Sequence, residues 1–413
     1  MLHKIISTSS LLTGNYTLSS IGNLCGTKAI NAAIAPTAGQ GVIAQLRNNL
    51  KQLDKLLADN NLSADNVIRT QIFTKNLTKA KEIETELAIY YGGKTPAFSI
   101  IPQPPAFGED CLIEILISEL TPKRINNNLS ILEFEDMEWA FFSGITPRGG
   151  IVGPYAESVD VFQHANTLLE ENGFSFGEVA RTWIYQKDII TINGEVGENY
   201  QNMNNARADF FKSLSFKIGN PNSELWNEKV PPASTGIDMH DGSILLEGVA
   251  VRTKNKAVKG YPVSNPFQTN PFEYHQAVLQ KAAEPGKKAP PAFSRGFSVV
   301  NPKGETEWIS GTAAVTGEKV RYLGDTQRQT LLAIKNMQRV AEQRKMTLDQ
   351  FFSTRAYIAK PKGYTQADFE EARDIAYDIV KKKFPNTPTI FVNANVCRVD
   401  WLFEIEAWVG SIN

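Results

Sequence analysis

Three glutamates set among aliphatics are the residues of this chain best placed for acid chemistry. They are Glu114 in Leu112-Ile113-Glu114-Ile115, Glu247 in Leu245-Leu246-Glu247-Gly248 and Glu404 in Leu402-Phe403-Glu404-Ile405. Strand alternation puts each carboxyl on the face opposite its apolar neighbours. If that apolar face meets helices, the carboxyls face a junction between structural units. There, apolar surroundings raise a carboxyl pKa and make a general acid. For Glu114 and Glu247 the preferred expectation is a structural ion pair with an arginine. Glu404 is the candidate acid.

Anion capture is the second requirement. Arg181, Arg207, Arg295 and Arg355 sit in apolar or small-residue settings, and a guanidinium fork suits bidentate capture of a carboxylate. Any one of them alone reads as a structural ion pair. Convergence of several on Glu404 would describe a pocket for a small, multiply anionic substrate. Tyr185, on the strand of Arg181, and Thr312, beside Gly311, join them as substrate-binding candidates. Cys397 is expected near Glu404 through a tight hairpin turning at Val399-Asp400, which would pair 397 with 402 and 395 with 404. With no His or Lys neighbour to lower its pKa, the thiol reads as a substrate contact rather than a nucleophile.

These residues are carried by a skeleton that occurs three times. Each copy has a strand ending in Gly and a small polar residue (Gly26-Thr27, Ser143-Gly144, Gly311-Thr312), then a helix bearing Gln45, Gln163 or Gln329 at nearly constant distance. A strand with an arginine follows: Arg69-Thr70, Arg181-Thr182 and Thr354-Arg355. A segment led by Pro96, Pro232 or Pro388 then leads to the strand of Glu114, Glu247 or Glu404. Such register over three copies specifies a repeated module. Leu46, Leu50, Leu53 and Leu57, and likewise Thr330, Ile334, Met337 and Ala341, fall at helical spacing. Second helices are expected over 79–91, 198–213 and 366–383. The predicted architecture is α+β: three tandem modules, each a mixed sheet with two helices on one face. The expected divisions are 1–121, 131–252 and 292–413. Residues 122–130 read as a polar linker, and 253–291 as a longer linker or lid whose Tyr261, Phe267, Phe272 and Tyr274 dock it on the body.

The 413 residues fit three such modules, and a formal net charge of −1 argues against a general polyanion binder such as a nucleic-acid protein. Lys381-Lys382-Lys383 reads as a solvated helix end complementing the helix dipole. Three cysteines without a CxxC pair and four scattered histidines give no metal-ligand spacing. No cofactor is expected. Met1-Leu2-His3-Lys4 does not open a signal peptide, and no stretch approaches a membrane span. The expectation is a soluble, cytoplasmic monomer acting on a small carboxylate, without membrane or nucleic-acid partners.

Several passages resemble the YjgF/Rid superfamily, and more closely its fused-module branch, the chorismatases. They are Arg181-Thr182-Trp183-Ile184-Tyr185 with Asn205-Ala206-Arg207, Pro232-Ala233-Ser234-Thr235-Gly236-Ile237, and Pro291-Ala292-Phe293-Ser294-Arg295 leading to Gly311-Thr312. The closing Cys397-Arg398 and Leu402-Phe403-Glu404-Ile405-Glu406 are similar to the end of that family. The resemblance implies three chorismate-mutase-like modules packed as an intramolecular pseudo-trimer, with clefts between neighbours. It further implies cleavage of the enolpyruvyl ether of chorismate to pyruvate. Glu404 would be the acid, Arg207, Arg295 and Arg355 would hold the substrate carboxylates, and Cys397 would mark the 3-hydroxybenzoate-yielding branch over the one yielding a dihydroxycyclohexadiene acid. Asp238-Met239, Trp401 and Phe403 depart from the family pattern. Ordinary Rid deaminases hold their substrate with an arginine after the Pro-led segment. Here those places read Ala97-Phe98, Ser234-Thr235 and Ile390-Phe391, which counts against imine or enamine deamination. That activity and a non-catalytic anion-binding role are the alternatives.

Overall fold

A computed structural model describes residues 16–36, 40–192, 197–216, 230–279 and 288–412. Met1 to Lys4 and residues 280–287 of the expected lid lie outside them. The first copy comprises β1 (Tyr16–Leu24), β2 (Thr27–Ala35), α1 (Val42–Asp59), β3 (Val67–Thr74), α2 (Ala80–Tyr90), β4 (Ala97–Ile101) and β5 (Cys111–Ser118). In the second are β6 (Lys123–Asn126), β7 (Leu129–Glu133), β8 (Met137–Ile145), α3 (Pro154–Glu171), β9 (Val179–Lys187), α4 (Asn199–Phe211), β10 (Ala233–Met239) and β11 (Ile244–Thr253). The third has β12 (Lys259–Val263), β13 (Gly296–Asn301), β14 (Gly304–Ala313), the small β15 (Val315–Thr316) and β16 (Lys319–Val320), α5 (Thr326–Gln343), β17 (Phe351–Ile358), α6 (Gln366–Lys383), β18 (Thr389–Asn393) and β19 (Phe403–Ile412).

The three sheets share one topology: β1-β2-β5-β3-β4, β6-β7-β8-β11-β9-β10 and β12-β13-β14-β19-β17-β18. The pairs β3–β4, β9–β10 and β17–β18 are parallel and their other neighbours antiparallel. A parallel pair needs a crossover, which α2, α4 and α6 supply. The α+β class, with mixed sheets and six helices, is as expected.

Alternation on the last strand of each sheet separates two environments. In β5, Ile113, Ile115 and Ile117 pack beneath α1 and α2, while Leu112 and Leu116 face the other way, with Glu114 between them. In β19, Phe403, Ile405, Ala407 and Val409 join the core under α5 and α6, and Trp408 joins the core on the opposite face. Both faces are therefore covered: β5 is buried throughout and β19 from Phe403 to Val409. Each sheet meets the other two on the non-helical face. Arg355 of the third reaches Glu114 of the first, Arg181 of the second reaches Glu406 of the third, and Gln71 of the first reaches Glu247 of the second.

Several expectations need correction. Residues 122–130 are not a free linker, because β6 and the start of β7 lie within them and extend the second sheet. Likewise β12, within 253–291, forms the edge of the third sheet, while Tyr261 and Phe267 dock on the body as expected. There, Arg344 lies 4.3 Å from the ring of Tyr261 and Arg339 3.7 Å from that of Phe267. Gly26-Thr27 does not end a strand: Cys25-Gly26 is the turn between β1 and β2, with Gly26 at φ 93°, and Thr27 opens β2. The helical glutamines are also out of register. Gln45 and Gln329 are the fourth residues of α1 and α5, where the second copy has Glu157 rather than Gln163. The two glutamines hold the entry to the last strand: Gln45 accepts from the N–H groups of Asp110 and Cys111, and Gln329 from that of Leu402.

Candidate active site

Pairing registers place the three glutamates at equivalent positions: Glu114 opposite Gln71, Glu247 opposite Trp183 and Glu404 opposite Tyr357. All three are buried, but their surroundings differ. Glu114 takes the expected ion pair, accepting from Arg355 Nη2 at 2.5 Å, with Asn31 and Ser353 each at 3.0 Å. These partners hold its carboxyl below the usual range against the opposing effect of burial. Glu247 has no arginine partner among the described residues. It accepts from Gln71 at 2.5 Å and from the Tyr185 hydroxyl at 3.1 Å. Among the described residues Glu404 makes no hydrogen bond and no ion pair. Burial above all, and then the neighbouring Glu406, push its carboxyl up to about 8, against the pull of Arg295 and Arg181. It is a carboxylic acid at neutral pH, with a proton available to a ligand.

Glu404 lines a cleft between the second and third sheets. Its floor is Gly311, where an added Cβ would stand 2.0 Å from Glu404 Oε1. Ser234 and Gly236 of β10 form one wall. Tyr200 of α4, Tyr274, Phe293 and Trp401 supply aromatic surface, and Arg295, Arg398 and Cys397 complete the lining.

The two edge arginines are pre-oriented. Arg295 Nη2 donates to Thr269 O at 2.8 Å and to the Tyr274 hydroxyl at 2.7 Å. Arg207, behind Ser234, donates to Asn204 Oδ1 at 2.6 Å and Ser234 Oγ at 3.3 Å. The ring of Phe293 lies 5.7 Å from Arg207 and 5.9 Å from Arg295. In both guanidinium groups the buried Nε has no hydrogen-bond partner among the described residues.

Cys397 reaches the cleft by a different route from the one expected. There is no hairpin at Val399-Asp400, since β18 and β19 pair on opposite sides of β17 and the chain crosses between them as a loop over 394–402. That loop is tied to the second sheet, with Val396 bridging Ile237 and Asn395 Nδ2 donating to Asp238 at 2.9 Å. Asp238, one of the departures from the family pattern, thus anchors the loop that presents Cys397. Burial first, then Glu404, push the Cys397 thiol up to about 12, so it stays protonated.

The remaining sequence candidates lie elsewhere. Arg355 and Tyr185 belong to the junction of the three sheets, where Arg355 Nη1 donates to the Tyr185 hydroxyl at 2.6 Å. Their partners are the other copies' glutamates rather than the cleft. Thr312 turns away and donates to Ser310 O at 2.8 Å. Arg181 stands one layer back, bound to Glu406 at 2.7 Å. Of the two bulky departures, Trp401 lines the cleft, whereas Phe403 packs under the helices. Tyr200, Tyr274, Phe293, Arg398 and Glu406 were not singled out from the sequence as site residues. Only Glu406 carried a signal, as a second acid two residues after Glu404 on the same strand face.

No family model matches the chain. Among curated proteins, a 3-hydroxybenzoate synthase of Streptomyces hygroscopicus is 26% identical over 284 residues, spanning 66% of this chain and 74% of that protein. A chorismatase of the same organism is 25% identical over 274 residues, spanning 66% and 72%. Among solved structures, the crystal structure of a chorismatase at 1.08 Å resolution superposes with a TM-score of 0.58 and 19% identity, over 84% of this chain and 95% of that one. The structural likeness establishes the fold, and the curated relatives point the same way in sequence. The chain is thus similar in sequence to a 3-hydroxybenzoate synthase and a chorismatase, and in fold to a chorismatase.

Proposed function

We propose that this protein is a chorismatase-like enzyme that cleaves the enolpyruvyl ether of chorismate, releasing pyruvate with 3-hydroxybenzoate as the favoured second product. The observation that carries the reading is Glu404, a buried carboxyl raised to about 8 with no hydrogen-bond partner among the described residues, in a cleft edged by arginines. In this reading Arg295, with Arg207 behind Ser234, receives the substrate carboxylates, and the aromatic walls take the ring. Glu404 transfers its proton to the enolpyruvyl methylene carbon, turning the enol ether into an oxocarbenium-like centre. The Glu404 carboxylate left behind faces that cation and stabilises it. Water adds to the centre, returning a proton to Glu404, and the hemiketal collapses to pyruvate with both ring oxygens kept. Alternatively the ring hydroxyl adds, returning its proton to Glu404. Its own bond to the ring then breaks, the carbon bearing the ether loses its hydrogen as the ring aromatises, and collapse at the centre frees pyruvate and 3-hydroxybenzoate. With the ring hydroxyl as nucleophile, chorismate divides into pyruvate and hydroxybenzoate with no other reactant. With water, the second product is the dihydroxycyclohexadiene acid.

The protonated Cys397 thiol sits beside this centre as a contact to the ring, and we assign it the choice between these outcomes. We further take the three copies to be an intramolecular pseudo-trimer of modules 1–121, 131–252 and 292–413. Two departures from the sequence-based site follow: Arg355 and Tyr185 serve the module junction, and Thr312 serves the backbone beside Gly311. The described helices include none long and apolar enough to cross a membrane. The test is incubation of the purified protein with chorismate and enzymatic detection of pyruvate, with chromatography of the ring product. Release that depends on Glu404 supports the reading, and no release at high enzyme concentration overturns it.

A further inference from the structure

Glu406 follows Glu404 by two residues on β19, and the third copy alone has a carboxyl at that register position. Opposite the strand arginines the first two copies carry Leu116 (facing Arg69) and Val249 (facing Arg181), while the third carries Glu406 facing Arg355. This carboxyl is 4% exposed and gripped from several sides. Arg181 Nη2 and Trp183 Nε1 each donate to it at 2.7 Å, Thr235 Oγ1 donates at 2.5 Å, and Arg355 Nη1 lies 3.5 Å away. Two guanidinium groups, an indole N–H and a hydroxyl converge on this one carboxyl.

Thr235 carries the contact onward. Its hydroxyl donates to Glu406 and accepts from Arg181 at 2.5 Å and from the Gly311 N–H at 2.9 Å, which uses its one proton and both lone pairs. Gly311 is the floor on which Glu404 Oε1 rests. We propose that Glu406 is a positioning residue for the acid step: it holds a fixed negative charge beside Glu404 that disfavours ionisation there, and through Thr235 it fixes the Gly311 backbone that seats the Glu404 carboxyl. The inference rests on the reading of Glu404 as the acid.

The charged and titratable groups that line the cleft or face Glu404 are Arg181 of β9, Tyr200 and Arg207 of α4, Tyr274, Arg295 before β13, Tyr357 of β17, Cys397 and Arg398 of the loop before β19, and Glu406 itself. Arg295 and Arg181 oppose Glu406, but Arg181 spends its charge on the Glu406 carboxylate.

The test is the pH dependence of pyruvate release by Glu406→Gln. The alkaline limb of kcat should move down by about one pH unit, with KM changing less than kcat. A residue that merely supports the fold would lower the amplitude and leave the limb in place, and that result overturns the proposal. If Glu406→Gln does not fold, the double variant Arg181→Gln/Glu406→Gln removes the pair together. Its limb should still move down, by less, and an unmoved or raised limb overturns the proposal. If the wild type releases no pyruvate, the proposed activity fails on its own. Titration of the Glu404 carboxyl band by difference infrared spectroscopy, identified as the band lost in Glu404→Gln, then decides between Glu406→Gln and wild type without substrate. A lower midpoint in Glu406→Gln supports the proposal and an equal one overturns it.

Discussion

The cleft between the second and third sheets and the cleft between the first and second are built from equivalent strands, yet their chemistry differs. At each, a serine-bearing edge strand faces a glycine: Ser234 and Thr235 against Gly311 in one, Ser99 against Gly144 in the other, where the Gly144 N–H donates to Ser99 Oγ at 2.7 Å. The first-to-second cleft is the larger. Size does not decide, because its glutamate, Glu247, is turned to Gln71 and Tyr185, and Arg148 at its rim is spent on Asp160. The smaller cleft has arginines whose Nε groups are without a hydrogen-bond partner among the described residues. The proposed chemistry uses the copy whose strand glutamate the fold leaves without a hydrogen-bond partner among the described residues.

The largest expected contrast is between the two equivalent acids. Glu404→Gln should lower pyruvate release by about 10²–10⁴-fold, the usual worth of a general acid, with little change in melting temperature. Glu247→Leu should keep most of the activity but cost about 1–3 kcal/mol by leaving Gln71 and Tyr185 unpaired. Equal activity losses in the two would erase the distinction.

Next is the pair of glycines. Gly311→Ala puts a methyl where Glu404 Oε1 now lies. Displacing the acid by about 1 Å should cost on the order of 10²-fold in kcat. Gly144→Ala meets Phe98 O at 2.8 Å, at a φ of +66°. It should destabilise the protein, by about 1–2 kcal/mol for the left-handed backbone alone, and spare kcat in the folded fraction. Steady-state kinetics beside thermal melts reads both.

The pH response should also separate the copies. A carboxyl raised in the folded state stabilises most below the ordinary carboxyl range, and that contribution is lost as pH rises through the folded pKa. With Glu404 raised to about 8, activity should fall as pH rises through that value. Wild-type stability should decline from roughly pH 4 to 8, and Glu404→Gln should flatten this decline. Glu114, held below the usual range, works in the opposite sense, adding stability that is lost as pH falls through its folded pKa. The smallest effect belongs to Cys397→Ala. It should shift the product ratio from 3-hydroxybenzoate toward the dihydroxycyclohexadiene acid, with kcat within about tenfold, as read by chromatography.

Much of the scaffold was legible because it rests on local periodicity. The leucines of α1 and the helix expected over 366–383 lie where their spacing put them. The three glutamates share one register because alternation fixes faces strand by strand. What failed were inferences about how elements join. The turn-forming residues near Val399-Asp400 suggested a hairpin, but β18 lies beyond β17, and a pairing partner two strands away leaves no local trace. Gln163 was matched by its distance from Gly144, although Gly144 lies near the end of β8 and Gly26 in the turn before β2.

The site itself was only half legible. Glu404, Cys397 and Arg295 were found from their neighbours. Tyr200, Tyr274, Phe293 and Trp401 come from four separate segments, and nothing within each segment marks it as cleft-facing. Arg355 looked like an anion binder because its partner Glu114 lies 241 residues away. A buried arginine shows its role only when the carboxylate that satisfies it is seen.

The central claim is that the third copy's glutamate alone acts as the acid. Initial rates of pyruvate release from chorismate, measured side by side for wild type, Glu247→Leu and Glu404→Gln at neutral pH, test it most directly. The account predicts release by the first two and near-complete loss in Glu404→Gln. Release by Glu404→Gln at the wild-type rate, or none from the wild type, would contradict it.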